Sequence, residues 1–195
     1  GQLYQHILEI NDMTCLVLSG SLPRGVSPNL YGQLILAGKK NGSFILLDTD
    51  GKALAESIEF QPTAIKPNTH ELARLVGRKL EDDASIISAC REIHDKGVRF
   101  VLVSMGKDGL ILSSEDQVIK AVAPPVDVNS TVGAGDSSVA GFVMAFSEEK
   151  EIAECVRLAC AAGTATAQTP GTELCHRQEV ERILPSVKIT SLMTP

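Results

Sequence analysis

The sequence contains no tryptophan, and aromatic residues make up only 4% of it. Stacking platforms for single-stranded nucleic acid are built from exposed aromatics, so the composition argues against that class of partner. A formal net charge of −6 argues equally against a basic surface that tracks a phosphate backbone. Phosphorylated small molecules stay open, because a few N–H groups and one or two cations suffice to hold them. No apolar run reaches the ~20 residues that a membrane-spanning helix requires, and no secretory signal pattern is visible. Neither nucleic acid nor a membrane is expected as a partner.

Metal-binding patterns are missing too. The five cysteines, Cys15, Cys90, Cys155, Cys160 and Cys175, form no C-x-x-C pair, and an odd number cannot all pair within one chain. They read as reduced, mostly buried thiols of a cytoplasmic protein. The histidines His6, His70, His94 and His176 are scattered, with no H-E-x-x-H among them. There is no initiator methionine; the chain opens on Gly1-Gln2-Leu3-Tyr4 as though partway into a helix, which reads as a processed or truncated N-terminus.

What is present is an ordinary globular composition, 44% apolar and 22% charged over 195 residues, enough for one domain with a real core. Apolar spacing predicts a helix over 3–10, then strands at 15–18, 44–47, 64–65 and 99–103. Helices are predicted at 29–40, at 69–76 with Gly77 as its stop, and at 83–95. Residues 110–112 and 118–122 flank a polar stretch and read as a hairpin. Helices fill most of 136–184, interrupted around 169–171. Strands alternating with helices point to a doubly wound α/β fold, a mostly parallel sheet with helices on both faces. Ligands bind beyond the carboxyl ends of the strands in such folds. The polar segments 19–25, 48–50, 66–71 and 104–109 all follow strands.

The sharpest motif is Ser130-Thr131-Val132-Gly133-Ala134-Gly135-Asp136-Ser137. Small residues let the backbone approach a ligand, and the helix that follows offers unpaired first-turn N–H groups at its positive end. Such a start suits charge developing on a phosphoryl group, and Asp136 beside it can accept a proton. Taken alone, the same string is equally a tight turn followed by an acidic first-turn residue. It lacks the Lys and Ser/Thr of a G-x-x-x-x-G-K-[ST] loop, and it stands too late for a dinucleotide fingerprint.

With its neighbours, the motif resembles the second signature of the ribokinase-like (PfkB) carbohydrate kinases, over DVNSTVGAGDSSVA at 127–140. The resemblance implies Asp136 as catalytic base, an anion hole from the backbone of Gly133, Ala134 and Gly135, and Thr131 as a nucleotide contact. Lys66-Pro67-Asn68-Thr69-His70-Glu71 resembles the family's K-P-N-x-x-E. It implies that Asn68 and Glu71 organise Mg²⁺ largely through water, and that Lys66 and Asn68 lie against the nucleotide phosphates. The same stretch also reads as a plain helix cap on Asn68 or Thr69. Ser104, Gly106 and Gly109 match the strand-to-hairpin turn beneath ATP, a common turn in its own right. Gly163 and Gly171 match segments that border adenine, although small residues on a helix face usually signal close packing.

Ser19-Gly20-Ser21-Leu22-Pro23-Arg24-Gly25 resembles the S-G-S-L-P-x-G segment of the subgroup acting on sugar phosphates: 6-phosphofructokinase, 1-phosphofructokinase and tagatose-6-phosphate kinase types. Ser21 would hold the substrate's phosphate and Arg24 would add a cation, while an arginine in such a loop is also a common surface residue. The implied reaction is phosphoryl transfer from Mg-ATP to a ketohexose phosphate, fructose 6-phosphate first. The implied domain is a single ribokinase-like unit over 1–195, with nucleotide binding within 60–195. The family's N-terminal region, its sugar-binding residues and its β lid have no counterpart in these residues. The chain therefore reads as the C-terminal portion of a member whose activity by itself is open, and a homodimer of the full-length protein stays open too. Two other classes remain: a nucleotide-binding fragment without catalysis, and a nicotinamide-dependent oxidoreductase. The latter would require an early G-x-G-x-x-G, which 19–25 does not supply.

Overall fold

The computed structural model describes residues 2–10 and 12–192. The expected domain span of 1–195 thus includes positions 1, 11 and 193–195, which lie outside the described residues. The described residues group into two compact units. Residues up to Val103 with Ser113–Glu115 form the first, and Ser104–Leu112 with residues from Asp116 onward form the second.

The first unit runs α1 (Gln2–Glu9), β1 (Cys15–Ser19), α2 (Leu30–Lys40), β2 (Phe44–Asp48), α3 (Gly51–Ile58), β3 (Ala64–Ile65), α4 (Thr69–Val76), α5 (Asp83–His94) and β4 (Phe100–Ser104, its last residue belonging to the second unit). These strands lie in chain order and pair in parallel, with Leu16 opposite Ile45, Leu47 opposite Ile65 and Ile65 opposite Val101. Parallel neighbours require a crossover between them, and the helices supply it. β2 and β4 each carry four successive buried residues, which means that both of their faces are covered. Ile35, Leu46, Leu54, Leu72 and Leu102 are each at most 2% exposed and form the centre of this core. The register sets Ser19 beside Asp48 and Leu47 beside Ile65. Segments 19–25, 48–50 and 66–71 therefore leave the sheet from one edge.

Local chemistry fixes the helix ends. Asn68 with Glu71 and Asp82 with Ser85 form capping boxes at the starts of α4 and α5. Asp50 caps α3, accepting from the Gly51 N–H at 2.6 Å, and also accepts from Arg74 Nη2 of α4 at 2.5 Å.

The second unit holds β5 (Leu110–Ser113, its last residue counted with the first unit), β6 (Val118–Val122), α6 (Ala134–Ser147), α7 (Ile152–Ala167), α8 (Arg177–Ile183) and β7 (Lys188–Ser191). β5, β6 and β7 are neighbours in that order, and β7 pairs antiparallel with β6, Ala121 opposite Ile189. α6 packs along α7, with Phe142 and Val156 at most 1% exposed. Before β5, a 3-10 turn over Gly106–Asp108 is closed by Met105 N–H donating to Gly109 O at 2.9 Å. Among the described residues no helix is long and apolar enough to cross a membrane.

The α/β class with a parallel core is the one the alternation of strands and helices predicts. Two elements had no sequence signal. α3 starts on Gly51 directly after Asp48-Thr49-Asp50, a composition that reads as a turn. β7 is short and mostly exposed, so it carries no apolar run and exists through its pairing with β6.

Two outcomes follow for stability. Gly109 sits at φ 93, ψ −140, and a Cβ there would lie 2.0 Å from Ala121 O. Backbone strain of about 1–3 kcal/mol adds to that clash. Gly109→Ala is thus expected to lower the urea-derived unfolding free energy by at least ~2 kcal/mol, and a smaller loss would show that the turn relaxes. The Arg74 guanidinium bonded to Asp50 is the main cause holding that carboxyl below its ordinary value. A depressed folded pKa gives stability that is present above the unfolded-state pKa and lost as pH falls through the folded one. Asp50→Ala is therefore expected to lower Tm near neutral pH, with the gap to the parent narrowing below about pH 4. A gap that ignores pH would assign the effect to something other than the Asp50 charge.

Candidate active site

In the first unit a polar cluster forms where β1, β2 and β3 end. The Gly20 N–H donates to Asp48 O at 2.9 Å, and Gly20 O accepts from Tyr31 Oη at 2.9 Å and Thr49 Oγ1 at 2.8 Å. Tyr31 Oη also lies 2.9 Å from Ser19 O. Burial, with the Asp48 carboxylate nearby, pushes the Tyr31 phenol up, so it stays a donor to these carbonyls. The loop bearing Ser21 and Arg24 is thus pinned at its root, while both of those side chains are exposed.

Lys66 follows β3 and is only 5% exposed. Its N–H donates to Leu47 O at 3.0 Å, and its Nζ stands 3.3 Å from Asp48 Oδ1. An ammonium so removed from water requires a compensating charge, and Asp48 provides it. Asn68 and Glu71 are brought together directly. Asn68 Oδ1 accepts from the Glu71 N–H at 2.9 Å, and Glu71 Oε2 accepts from the Asn68 N–H at 2.8 Å. The cap and the two carried-over metal residues are therefore the same pair. The box leaves Glu71 Oε1 outside it. Among the described residues no cluster of three or more His, Cys, Asp or Glu could hold a metal by itself.

In the second unit, α6 starts on Gly133 in the left-handed conformation, φ 78, ψ −7. Ala134, Gly135 and Asp136 form its first turn, and Asp136 is exposed. The Ala134 N–H donates to Thr131 O at a long 3.3 Å, and Ser137 N–H donates to Gly133 O at 2.9 Å. The Gly135 N–H, in the first turn, has no helix carbonyl behind it to reach. An exposed carboxylate and a helix start thus share one turn, the arrangement for a base beside an anion-stabilising backbone.

The strand of chain leading into that turn is stapled down. Asn129 N–H donates to Ala167 O at 2.9 Å, and Asn129 Nδ2 donates to Gln168 O at 2.7 Å. Ser130 Oγ donates to Gly171 O at 2.6 Å, which gives Gly171 a backbone role at this site. Thr131 itself is exposed. Gly163 is buried against α6, where a Cβ would meet Ser138 Oγ at 2.2 Å and Ala134 O at 3.0 Å. Its position is one of close helix packing. Ser104 opens the second unit, and Gly106 and Gly109 bound the turn described above.

Sequence reasoning gave no place to Tyr31 or Thr166, and it included Thr49 and Ser137 only as members of the 48–50 segment and the glycine motif, without a role; all four act through hydroxyl contacts between segments. Asp48 was placed on the right segment, and an acid ending a parallel strand was the available signal. Burial pushes Cys90 up to about 12 and Cys155 to about 11, far from the thiolate.

Comparison with known proteins gives a consistent picture. A family model described as pfkB family carbohydrate kinase matches residues 2–179. The ATP-dependent 6-phosphofructokinase isozyme 2 of Escherichia coli is 38% identical over 184 residues, 93% of this chain and 60% of that protein. A 1-phosphofructokinase of Borreliella burgdorferi is 33% identical over 180 residues, 92% of this chain and 58% of that protein. The crystal structure of the Escherichia coli phosphofructokinase-2 in complex with potassium superposes with a TM-score of 0.89 at 36% identity, covering 94% of this chain and 60% of that one. The chain thus spans 58–60% of the length of these relatives. With the family model running through both units and across the helix start at Gly133, the chain belongs to the pfkB family of carbohydrate kinases.

Proposed function

We propose that this protein transfers the γ-phosphoryl group of ATP to a hydroxyl of a ketohexose phosphate in the cytoplasm, with fructose 6-phosphate as the leading acceptor. The observation that carries the reading is the helix start at Gly133, with Asp136 exposed in its first turn. In this reading the acceptor oxygen bonds to the γ-phosphorus as its proton passes to the Asp136 carboxylate. The bond from that phosphorus to the bridging oxygen breaks, and ADP leaves with the electron pair. The N–H groups of Gly133, Ala134 and Gly135 face the negative charge on the moving group. Little covalent work falls to the protein, and positioning supplies most of the rate.

Ser104, Gly106, Gly109, Thr131 and Gly171 line the nucleotide in this proposal, and Gly163 acts from behind by letting α7 approach α6. Lys66 adds positive charge on the phosphate side, held in place by Asp48. Ser21 and Arg24 hold the phosphate already on the sugar. The residues present fit Mg²⁺, which favours hard oxygens and keeps several of its waters. Asn68 and Glu71 would hold it, with Glu71 Oε1 outside the cap bond. When bound, the ion would neutralise charge on the phosphate oxygens. A 1-phosphofructokinase reading stands second, supported by the name of the Borreliella burgdorferi relative, with tagatose 6-phosphate as a further acceptor to be tested.

A coupled ADP-release assay with Mg-ATP against fructose 6-phosphate, fructose 1-phosphate and tagatose 6-phosphate separates these acceptors. Turnover with fructose 6-phosphate above the other two is the expected result. ATP binding without turnover on any of them would replace the kinase reading by one of nucleotide binding alone. Asp136→Asn is expected to cut turnover by about 10²- to 10⁴-fold while ATP affinity stays within about threefold, because the lost group acts on the acceptor proton. Near-normal turnover in that variant would remove Asp136 from the role of base.

A further inference from the structure

Thr166 stands in the last turns of α7 and is fully buried, among Ala161, Ala162, Gly163 and Ala165. A hydroxyl in such surroundings is unfavourable unless it is hydrogen-bonded. Threonine in a helix ordinarily bonds back to a carbonyl three or four residues earlier. Here Thr166 Oγ1 leaves its own helix instead. It donates to Ser137 Oγ at 2.7 Å and accepts from the Cys175 N–H at 3.0 Å. Ser137 is the residue after Asp136, 6% exposed, and its N–H closes the turn onto Gly133 O at 2.9 Å. The Thr166 methyl, Cγ2, lies 3.7 Å from where a Cβ on Gly133 would stand. One buried side chain is therefore bonded to the first turn of α6 and to the loop after α7, with its methyl beside the glycine turn.

We propose that Thr166 is a positioning residue, a bracket that fixes the Gly133–Asp136 turn against α7 and the 169–176 loop. The proposal deepens the kinase reading and rests on it for the meaning of Asp136. Packing alone would be met by alanine, as at the neighbouring positions of α7. The hydroxyl is used for direction, since a slide of the first turn of α6 past α7 breaks the Ser137 bond, and a shift of the loop after α7 breaks the Cys175 bond. A displacement near 1 Å at a reacting group is enough for roughly a hundredfold loss of rate.

The test compares Thr166→Val, which keeps the shape and removes the hydroxyl, with Thr166→Ser, which keeps the hydroxyl. Amide hydrogen exchange of the full chain is read at Ser137 and Cys175, alongside kinetics and Tm. Thr166→Val is expected to speed exchange at both amides by about tenfold or more. It is also expected to lower kcat by about ten- to a hundredfold with both KM values within about threefold of the parent. Thr166→Ser should recover most of each effect. Cys90→Ala, a cavity in the first unit's core, should lower Tm without a comparable fall in kcat. If Thr166→Val does not fold, Ser137→Ala removes one of the two bonds and is read in the same way at Cys175 and in kcat. Exchange and kcat both within about twofold of the parent in the variant that folds would overturn the bracket. Should the parent turn over none of the sugar phosphates, the kinase reading fails by itself, and the exchange rates alone decide whether Thr166 holds the turn.

Discussion

Gly133 takes a left-handed conformation beside Leu174, whose Cδ2 would lie 2.6 Å from any Cβ placed there. The left-handed dihedral strains any residue that carries a Cβ, and the helix start is built on that glycine. Gly133, at φ 78, turns the chain into α6, and Asp136 falls in the first turn that follows. A flexible residue at such a point would ordinarily make the turn mobile. Here the mobility is removed by neighbours: Asn129 and Ser130 tie the incoming chain to the end of α7 and to Gly171, and Thr166 ties the outgoing turn to Ser137 and Cys175. The small residues of α7, Gly163 foremost, are what let the two helices come close enough for those bonds to form.

The first unit solves a different problem, that of keeping charge and polar backbone groups at the ends of parallel strands. Lys66 is nearly buried and is compensated by Asp48, so its ammonium is held at a fixed place rather than swinging on a long side chain. Gly20 O receives two hydroxyls, from Tyr31 and Thr49, which anchors the loop carrying Ser21 and Arg24. Asn68 and Glu71 satisfy each other's backbone N–H groups in the cap of α4. The cap orders both side chains before any ligand arrives, so the structural and the proposed functional roles of this pair reinforce each other. Ordering in advance is the form of contribution that phosphoryl transfer asks of a protein.

Most of the architecture was legible because it rests on local rules. Strand and helix periods placed all but two elements; Gly77 and Asn68 announced helix ends by their residue types; and Gly133 to Asp136 announced a helix start by its small residues. α3 escaped because its opening residues are turn formers, and β7 escaped because an edge strand with little buried surface owes its existence to β6. At the candidate sites the sequence pointed to residues that sit in a motif, whereas Tyr31 and Thr166, whose hydroxyls bond across segments, sit in none.

The sequence alone determined the α/β class, the order of all its helices and strands but α3 and β7, and the residue types at each loop that follows a strand, because hydrophobic period, capping and glycine geometry act over a few neighbouring positions. The tertiary structure decided which of those residues meet. That Lys66 is paired with Asp48, that Tyr31 holds Ser19 and Gly20, and that Gly163 serves packing are matters of contact between residues 11 to 29 positions apart. Thr166 is the clearest case: in the sequence it is one threonine in an alanine-rich helix, and only the approach of α6 and the 169–176 loop gives its buried hydroxyl two partners. Hydrogen bonds of that kind depend on distance in space, which no spacing along the chain encodes.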